Sequence, residues 1–157
     1  MHLARFSRRH YTDGETPIER LDHLSEHLSG PDIYVKRDDR LPLAGGGNKT
    51  RKLEFVVADA LEKGADTLIT CGSVQSNHCR LTLAAAIREG LDCQLVLEER
   101  VPDSYDPEAS GNNFLYRLLG VDRIEVVPGG ADLDGEMQKL ADEVAAQGRQ
   151  PYVIPGG

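Results

Sequence analysis

The chain has 157 residues, 39% hydrophobic and 28% charged, a mixture that suits a folded globular protein rather than a disordered or fibrous one. Eighteen Lys and Arg stand against 26 Asp and Glu, a net charge of −8, which argues against nucleic acid as the main partner because phosphate backbones select clustered basic residues. No apolar run reaches the roughly 20 residues needed to span a membrane, and no apolar stretch follows the charged N-terminus to suggest a secretory signal.

In chain order, Thr16-Pro17-Ile18-Glu19 predicts a helix start, with Thr16 as the cap, Pro17 at the first helical position and Glu19 closing a capping box. Ile18, Leu21, Leu24 and Leu28 form its apolar stripe, and Gly30-Pro31 ends it. Residues 33–36 read as a short strand and 37–47 as a charged, Gly-rich loop. A helix over 48–63 turns Leu53, Val56, Val57, Ala60 and Leu61 inward, with Gly64 just past its end. Strands at 67–70, 94–97, 124–127 and 152–154 then alternate with helices at 78–89, 111–119 and 133–146. This alternation predicts an α/β fold, an open, mostly parallel sheet with helices on both faces, built from right-handed βαβ units. The chain stops at Pro155-Gly156-Gly157, at a strand's carboxyl end where ligands usually bind, so it reads as truncated.

Three cysteines, Cys71, Cys79 and Cys93, have neither the pairing of a disulfide framework nor the spacing of a zinc site. They read as reduced thiols of a cytoplasmic protein, and no metal is expected. Two polar clusters carry chemistry. In Gly45-Gly46-Gly47-Asn48-Lys49-Thr50-Arg51-Lys52-Leu53-Glu54, the glycines allow a tight turn and close backbone approach, and Asn48 sits where a cap would sit. Lys49 falls in the first helical turn, where the positive dipole end disfavours an ammonium; the neutral amine attacks carbonyls. A plain flexible loop with a solvated lysine is the alternative. A nucleotide P-loop fails, since the two required glycine positions hold Asn48 and Leu43. The second cluster, Cys71-Gly72-Ser73-Val74-Gln75-Ser76-Asn77-His78-Cys79-Arg80, places hydroxyl, amide and N–H donors at a helix N-terminus, suited to a carboxylate or phosphate. Ser76 and Asn77 read equally as helix caps. A Cys79–His78 nucleophile pair is disfavoured because adjacent helical residues point about 100° apart.

Together, Gly46-Gly47-Asn48-Lys49-Thr50-Arg51-Lys52-Leu53-Glu54 and Gln75-Ser76-Asn77-His78 resemble the signatures of the D-cysteine desulfhydrase and 1-aminocyclopropane-1-carboxylate deaminase family. These are pyridoxal-phosphate enzymes of the tryptophan-synthase-β type, fold type II. The resemblance extends over Arg5-Phe6, Thr16-Pro17-Ile18-Glu19-Arg20-Leu21, Lys36-Arg37-Asp38-Asp39 and the final Tyr152-Val153-Ile154-Pro155-Gly156-Gly157. It implies that Lys49 forms the Schiff base with pyridoxal 5'-phosphate and shuttles protons, and that Asn77 lies near the cofactor's phenolic oxygen. It implies that Ser76, Asn77 and His78, with the loop N–H groups, grip a substrate carboxylate, and that Ser76 acts in nucleophilic or proton-transfer chemistry. A glutamine usually follows the Ser-Asn pair in the deaminase branch, so His78 points to the desulfhydrase and cysteate-lyase branch.

The implied reaction eliminates sulfide or sulfite from D-cysteine or a related amino acid, giving pyruvate and ammonia. Deamination of the cyclopropane amino acid, or a catalytically inert fragment, are the alternatives. The family's phosphate loop and pyridine-nitrogen partner lie beyond residue 157 in its pattern. Residues 1–53 are expected to belong to a larger, incomplete cofactor domain, and 54–157 to a smaller three-layer α/β domain. The family also implies a homodimer.

Overall fold

In the computed structural model, which describes residues 2–156, helix α1 (Asp22–Leu28) joins a short antiparallel pair, β1 (Ile18–Arg20) and β2 (Tyr34–Lys36). Helix α2 (Lys49–Glu62) follows. The chain then alternates through β3 (Thr67–Ser73), α3 (Asn77–Glu89), β4 (Asp92–Glu99), α4 (Asn112–Leu118), β5 (Arg123–Pro128), α5 (Leu133–Ala146) and β6 (Pro151–Ile154). Strands β3 to β6 make one wholly parallel sheet in the order β5-β4-β3-β6. The chain thus steps outward from β3 to β5, then crosses back to lay β6 on the other side of β3.

Three layers follow from the two-residue alternation of the strands. Leu68, Leu95 and Leu97 face Leu53 and Val57 of α2 and Leu81 and Ala85 of α3. Ile69, Cys71, Val96 and Val127 face Met137, Leu140, Ala141 and Val144 of α5. Helix α5 starts where Asp132 accepts a hydrogen bond from the Gly135 N–H (3.1 Å), with Asp134 and Glu136 in a first turn that favours acidic residues. The α/β fold read from the sequence is the fold observed. The expected boundary between residues 53 and 54 falls inside α2, and Tyr11, Leu43 and Leu53 share one buried cluster with Leu68 and Leu95. No helix among the described residues is long and apolar enough to cross a membrane.

The expected helix start at Thr16 is incorrect. Ile18–Arg20 is a strand whose partners are Lys36, Val35 and Tyr34, and the Leu21 N–H donates to the Ile33 carbonyl (2.8 Å). The Thr16 hydroxyl donates to Asp38 Oδ1 (2.7 Å) and accepts from Arg51 Nη2 (3.0 Å), while Glu19 pairs with Arg37 (2.6 Å). A side-chain cap contributes about 1 kcal/mol. The strand ladder together with these charge-assisted bonds outweighs it. The stripe expected to be buried is instead at the surface, with Ile18, Leu24 and Leu28 all exposed.

Candidate active site

The first cluster is shaped by Asp38. Its carboxylate accepts from Arg51 Nε (2.9 Å) and Nη2 (2.7 Å), a bidentate pair that anchors the loop to the first turn of α2. The Arg51 guanidinium, helped by the Thr16 hydroxyl, holds the Asp38 carboxyl down at about 2. The Asp38 carbonyl in turn accepts from the Gly47 N–H (2.8 Å). At Gly46 the backbone has φ 74°, and a Cβ would fall 2.6 Å from the Asp39 carbonyl carbon, so only glycine fits. Asn48 occupies the cap position of α2 but makes no side-chain cap bond. Lys49 is the first residue of the helix and is half-buried. One turn on, burial and the neighbouring Lys49 charge lower the pKa of Lys52.

The second cluster sits where β3 hands over to α3. Ser76 caps α3, its Oγ accepting from the Cys79 N–H (3.2 Å). A Cβ on Gly72 would lie 2.6 Å from Ser76 Cβ, so the strand end and the cap pack against each other only through glycine. Tyr116 of α4 donates its hydroxyl to the Ser76 carbonyl (2.9 Å). The N–H groups of Asn77 and His78 have no acceptor among the described residues. They are two open donors at the positive end of a 13-residue helix.

Ser76 is half-buried and Asn77 exposed. The His78 ring, by contrast, turns down onto the sheet and is 3% exposed. Thr70 Oγ1 lies 2.9 Å from its Nε2 and donates its own proton to the Ile154 carbonyl (2.8 Å), so Nε2 carries the ring proton. Burial, reinforced by the Lys52 and Lys49 charges, depresses His78 to about 4, and the ring is neutral at physiological pH. The His78 ring is thus committed to Thr70, and what this residue offers at the loop surface is its backbone N–H.

One guanidinium joins the clusters. Arg80 donates from Nη2 to the Gly46 carbonyl (2.8 Å) and from Nη1 to Asn77 Oδ1 (3.0 Å) and Asn112 Oδ1 (2.9 Å). The turn before Lys49 and the Ser76-Asn77 corner are thereby neighbours. The sequence places Arg80 and Gln75 in the second cluster without giving either a role, and does not single out Asn112 or Thr70. Arg80 was the findable one, three residues after Asn77 on a helix and so on its face; no local signal marks Asn112, which lies on another helix.

Most Lys and Arg of this acidic chain pair with carboxylates; Lys49, Lys52 and Arg80 at this corner form no such pair among the described residues, and neither do Arg5, Lys36 and Arg88 elsewhere. An amine for an aldehyde, uncompensated positive charge for a phosphate, and open N–H donors for a carboxylate fit pyridoxal phosphate and an amino-acid substrate. A surface hollow of about 410 Å³ lined by Phe6, Phe55, Val56 and Tyr152 shares no residue with this corner. The three cysteines are free and buried; burial raises each pKa, that of Cys79 to about 12, so none is a poised nucleophile.

The chain is 48% identical over 156 residues to D-cysteine desulfhydrases of Salmonella typhimurium and Salmonella paratyphi C, a match covering 99% of this chain and 47% of each relative. It thus spans about half the length of the curated relatives it matches. A crystal structure of an ACC deaminase homologue superposes with a TM-score of 0.83 at 41% identity, over 98% of this chain and 45% of that one. Residues 10–157 match the model of the pyridoxal-phosphate dependent enzymes, and it is to this family that the chain belongs.

Proposed function

We propose that this chain supplies the lysine and the carboxylate-binding corner of a carbon–sulfur lyase that releases sulfide or sulfite from D-cysteine or a related amino acid and, with the uptake of one water, gives pyruvate and ammonia. The observation that carries this reading is the convergence of the Gly46 carbonyl, at the turn before Lys49, and the Asn77 side chain on the single Arg80 guanidinium. Bound pyridoxal phosphate supplies the electron sink for a carbanion at Cα. Lys49 Nζ would hold the cofactor through its aldehyde and would carry the proton taken from Cα, and Asn77 Nδ2 would donate a hydrogen bond to the cofactor's ring oxygen. The Asn77 and His78 N–H groups and the Ser76 hydroxyl bind the substrate carboxylate and orient Cα–H toward the lysine, a positioning effect. The neutral His78 ring, fixed on Thr70, supports the corner from below.

His78 after Ser-Asn and the 48% identity to desulfhydrases favour sulfur elimination over ring-opening deamination. The deaminase remains the second reading because the ACC deaminase homologue shares the fold at 41% identity. We also infer that residues 1–53 form part of a larger cofactor domain and 54–157 a smaller one, and that the enzyme is a cytoplasmic homodimer. The test uses the longest product of the reading frame that encodes this chain. Borohydride reduction followed by mass spectrometry should find the cofactor on Lys49, and Lys49→Ala should abolish both this label and pyruvate release from D-cysteine. A label on another lysine would overturn the site, and 2-oxobutyrate from the cyclopropane amino acid, without sulfide or sulfite release, would overturn the substrate.

A further inference from the structure

We infer that Arg80 is a positioning residue: its guanidinium locks the Asn77 carboxamide so that the amide N–H, not the oxygen, faces the ligand, and it clamps the turn before Lys49 in the same grip. The inference deepens the functional reading above and rests on it, since the ligand oxygen is taken to be the cofactor's ring oxygen.

The orientation follows from obligate donors and acceptors. Arg80 has only donors, so the Asn77 atom 3.0 Å from Nη1 is its oxygen. The same oxygen accepts from Asn112 Nδ2 (3.0 Å). Asn112 cannot be flipped either. Its Nδ2 donates to the Gln75 carbonyl (2.7 Å), an obligate acceptor, and its Oδ1 receives Arg80 Nη1 (2.9 Å). The Asn112 N–H is held by Gln75 Oε1 (2.8 Å), whose own Nε2 donates to the Ser110 carbonyl (3.1 Å). Both acceptor directions of Asn77 Oδ1 are therefore taken, and Asn77 Nδ2, with no partner among the described residues, is the group left to point outward. A carboxamide free to rotate would present its oxygen to an anionic ligand oxygen as readily as its N–H, and one of the two arrangements is repulsive.

Stability alone does not account for this guanidinium. It is half-buried, faces three carbonyl oxygens and no carboxylate, and its Nε is buried without a partner. A half-buried cation that faces only neutral oxygens, with one N–H buried and unpaired, carries a desolvation cost that an apolar side chain of similar size does not. The planar fork reaches the Gly46 and Asn77 oxygens from two different nitrogens held in one rigid plane, a fixed geometry that the single nitrogen of a flexible lysine does not reproduce.

The test reads the pH at which the visible spectrum of the lysine-bound cofactor titrates in the holoenzyme. A donor on the ring oxygen stabilises its anion and lowers the pH at which the linkage gives up its proton. Asn77→Ala should raise that pH by roughly one unit, the size of one lost hydrogen bond to a charged group. Arg80→Lys keeps the positive charge, so a shift in the same direction reports orientation rather than field. In the Asn77→Ala background Arg80→Lys should add nothing. A wild-type titration in Arg80→Lys, or shifts that add in the double variant, would overturn the positioning role while leaving the function intact. Absence of cofactor from Lys49 in the wild type would instead overturn the functional reading. Should Arg80→Lys not fold, Asn112→Ser removes the second lock on Asn77 and must raise the titration in the same way; an unmoved titration there overturns the inference.

Discussion

Replacing Asp38 by Asn tests whether the loop before Lys49 is held by charge. The carboxyl is held at about 2 instead of 3.8, a gap of 3.8 − 2 = 1.8, worth about 2.4 kcal/mol at neutral pH. Arg51 is 40% exposed, and screening there lowers the expected loss to about 1–2 kcal/mol. The folded-state pKa lies below the unfolded one, so the contribution is full above about pH 4 and is lost as the pH falls toward 2. Urea denaturation of wild type and Asp38→Asn from pH 7 down to pH 3 measures it. The stability difference should be constant from pH 7 to 5 and narrow between pH 4 and 3. A difference under about 0.5 kcal/mol at pH 7, the range of ordinary surface substitutions, or one that stays constant to pH 3, refutes the claim that the carboxylate pins this loop.

Two further outcomes are expected. Glu54, 1% exposed, accepts from the Tyr11 and Thr12 N–H groups (each 2.8 Å), the Thr12 hydroxyl (2.9 Å) and Arg8 Nε (2.7 Å); Glu54→Gln turns an amide donor onto donors, so it should cost about 2–3 kcal/mol and expose residues 7–14 to limited proteolysis, and an unchanged cleavage pattern would argue against the tether. Cys71, Cys79 and Cys93 should be inert to an aromatic disulfide reagent in the folded protein and all react in urea, because burial keeps each as a thiol; rapid native labelling of any one would contradict this.

The α/β alternation was legible because it is written locally, in apolar periodicity and helix-ending glycines, and α5 was read to its observed ends. Strand β3 was read short, since Cys71-Gly72-Ser73 look like a loop; they are strand because their backbone pairs with Val96, Leu97 and Glu98 whatever their side chains. Thr16 shows the opposite failure, a good local capping signature overridden by a partner 22 residues away. At the site, Lys49 and the Ser76-Asn77 pair stand out by residue type and motif. The orientation of His78 was not legible, because it depends on Thr70 and the Ile154 carbonyl, across two strands. Nor was the Arg80–Asn112 link, a bond spanning 32 residues that no periodicity encodes.

The late return of β6 to the flank of β3 has a kinetic consequence. Thr70 pairs with Ile154, and the Thr70 hydroxyl that holds His78 is itself held by that residue's carbonyl, 84 positions downstream. During synthesis on the ribosome, β3 and β4 can zip with only α3 between them, but the underside of the Ser76-Asn77 corner stays unfinished until residues 151–154 emerge. Closing so long a segment is entropically slow. Probes in the hydrophobic layers should therefore reach their native signal before the imidazole of His78 is locked, so that completion of the corner trails compaction of the nascent chain.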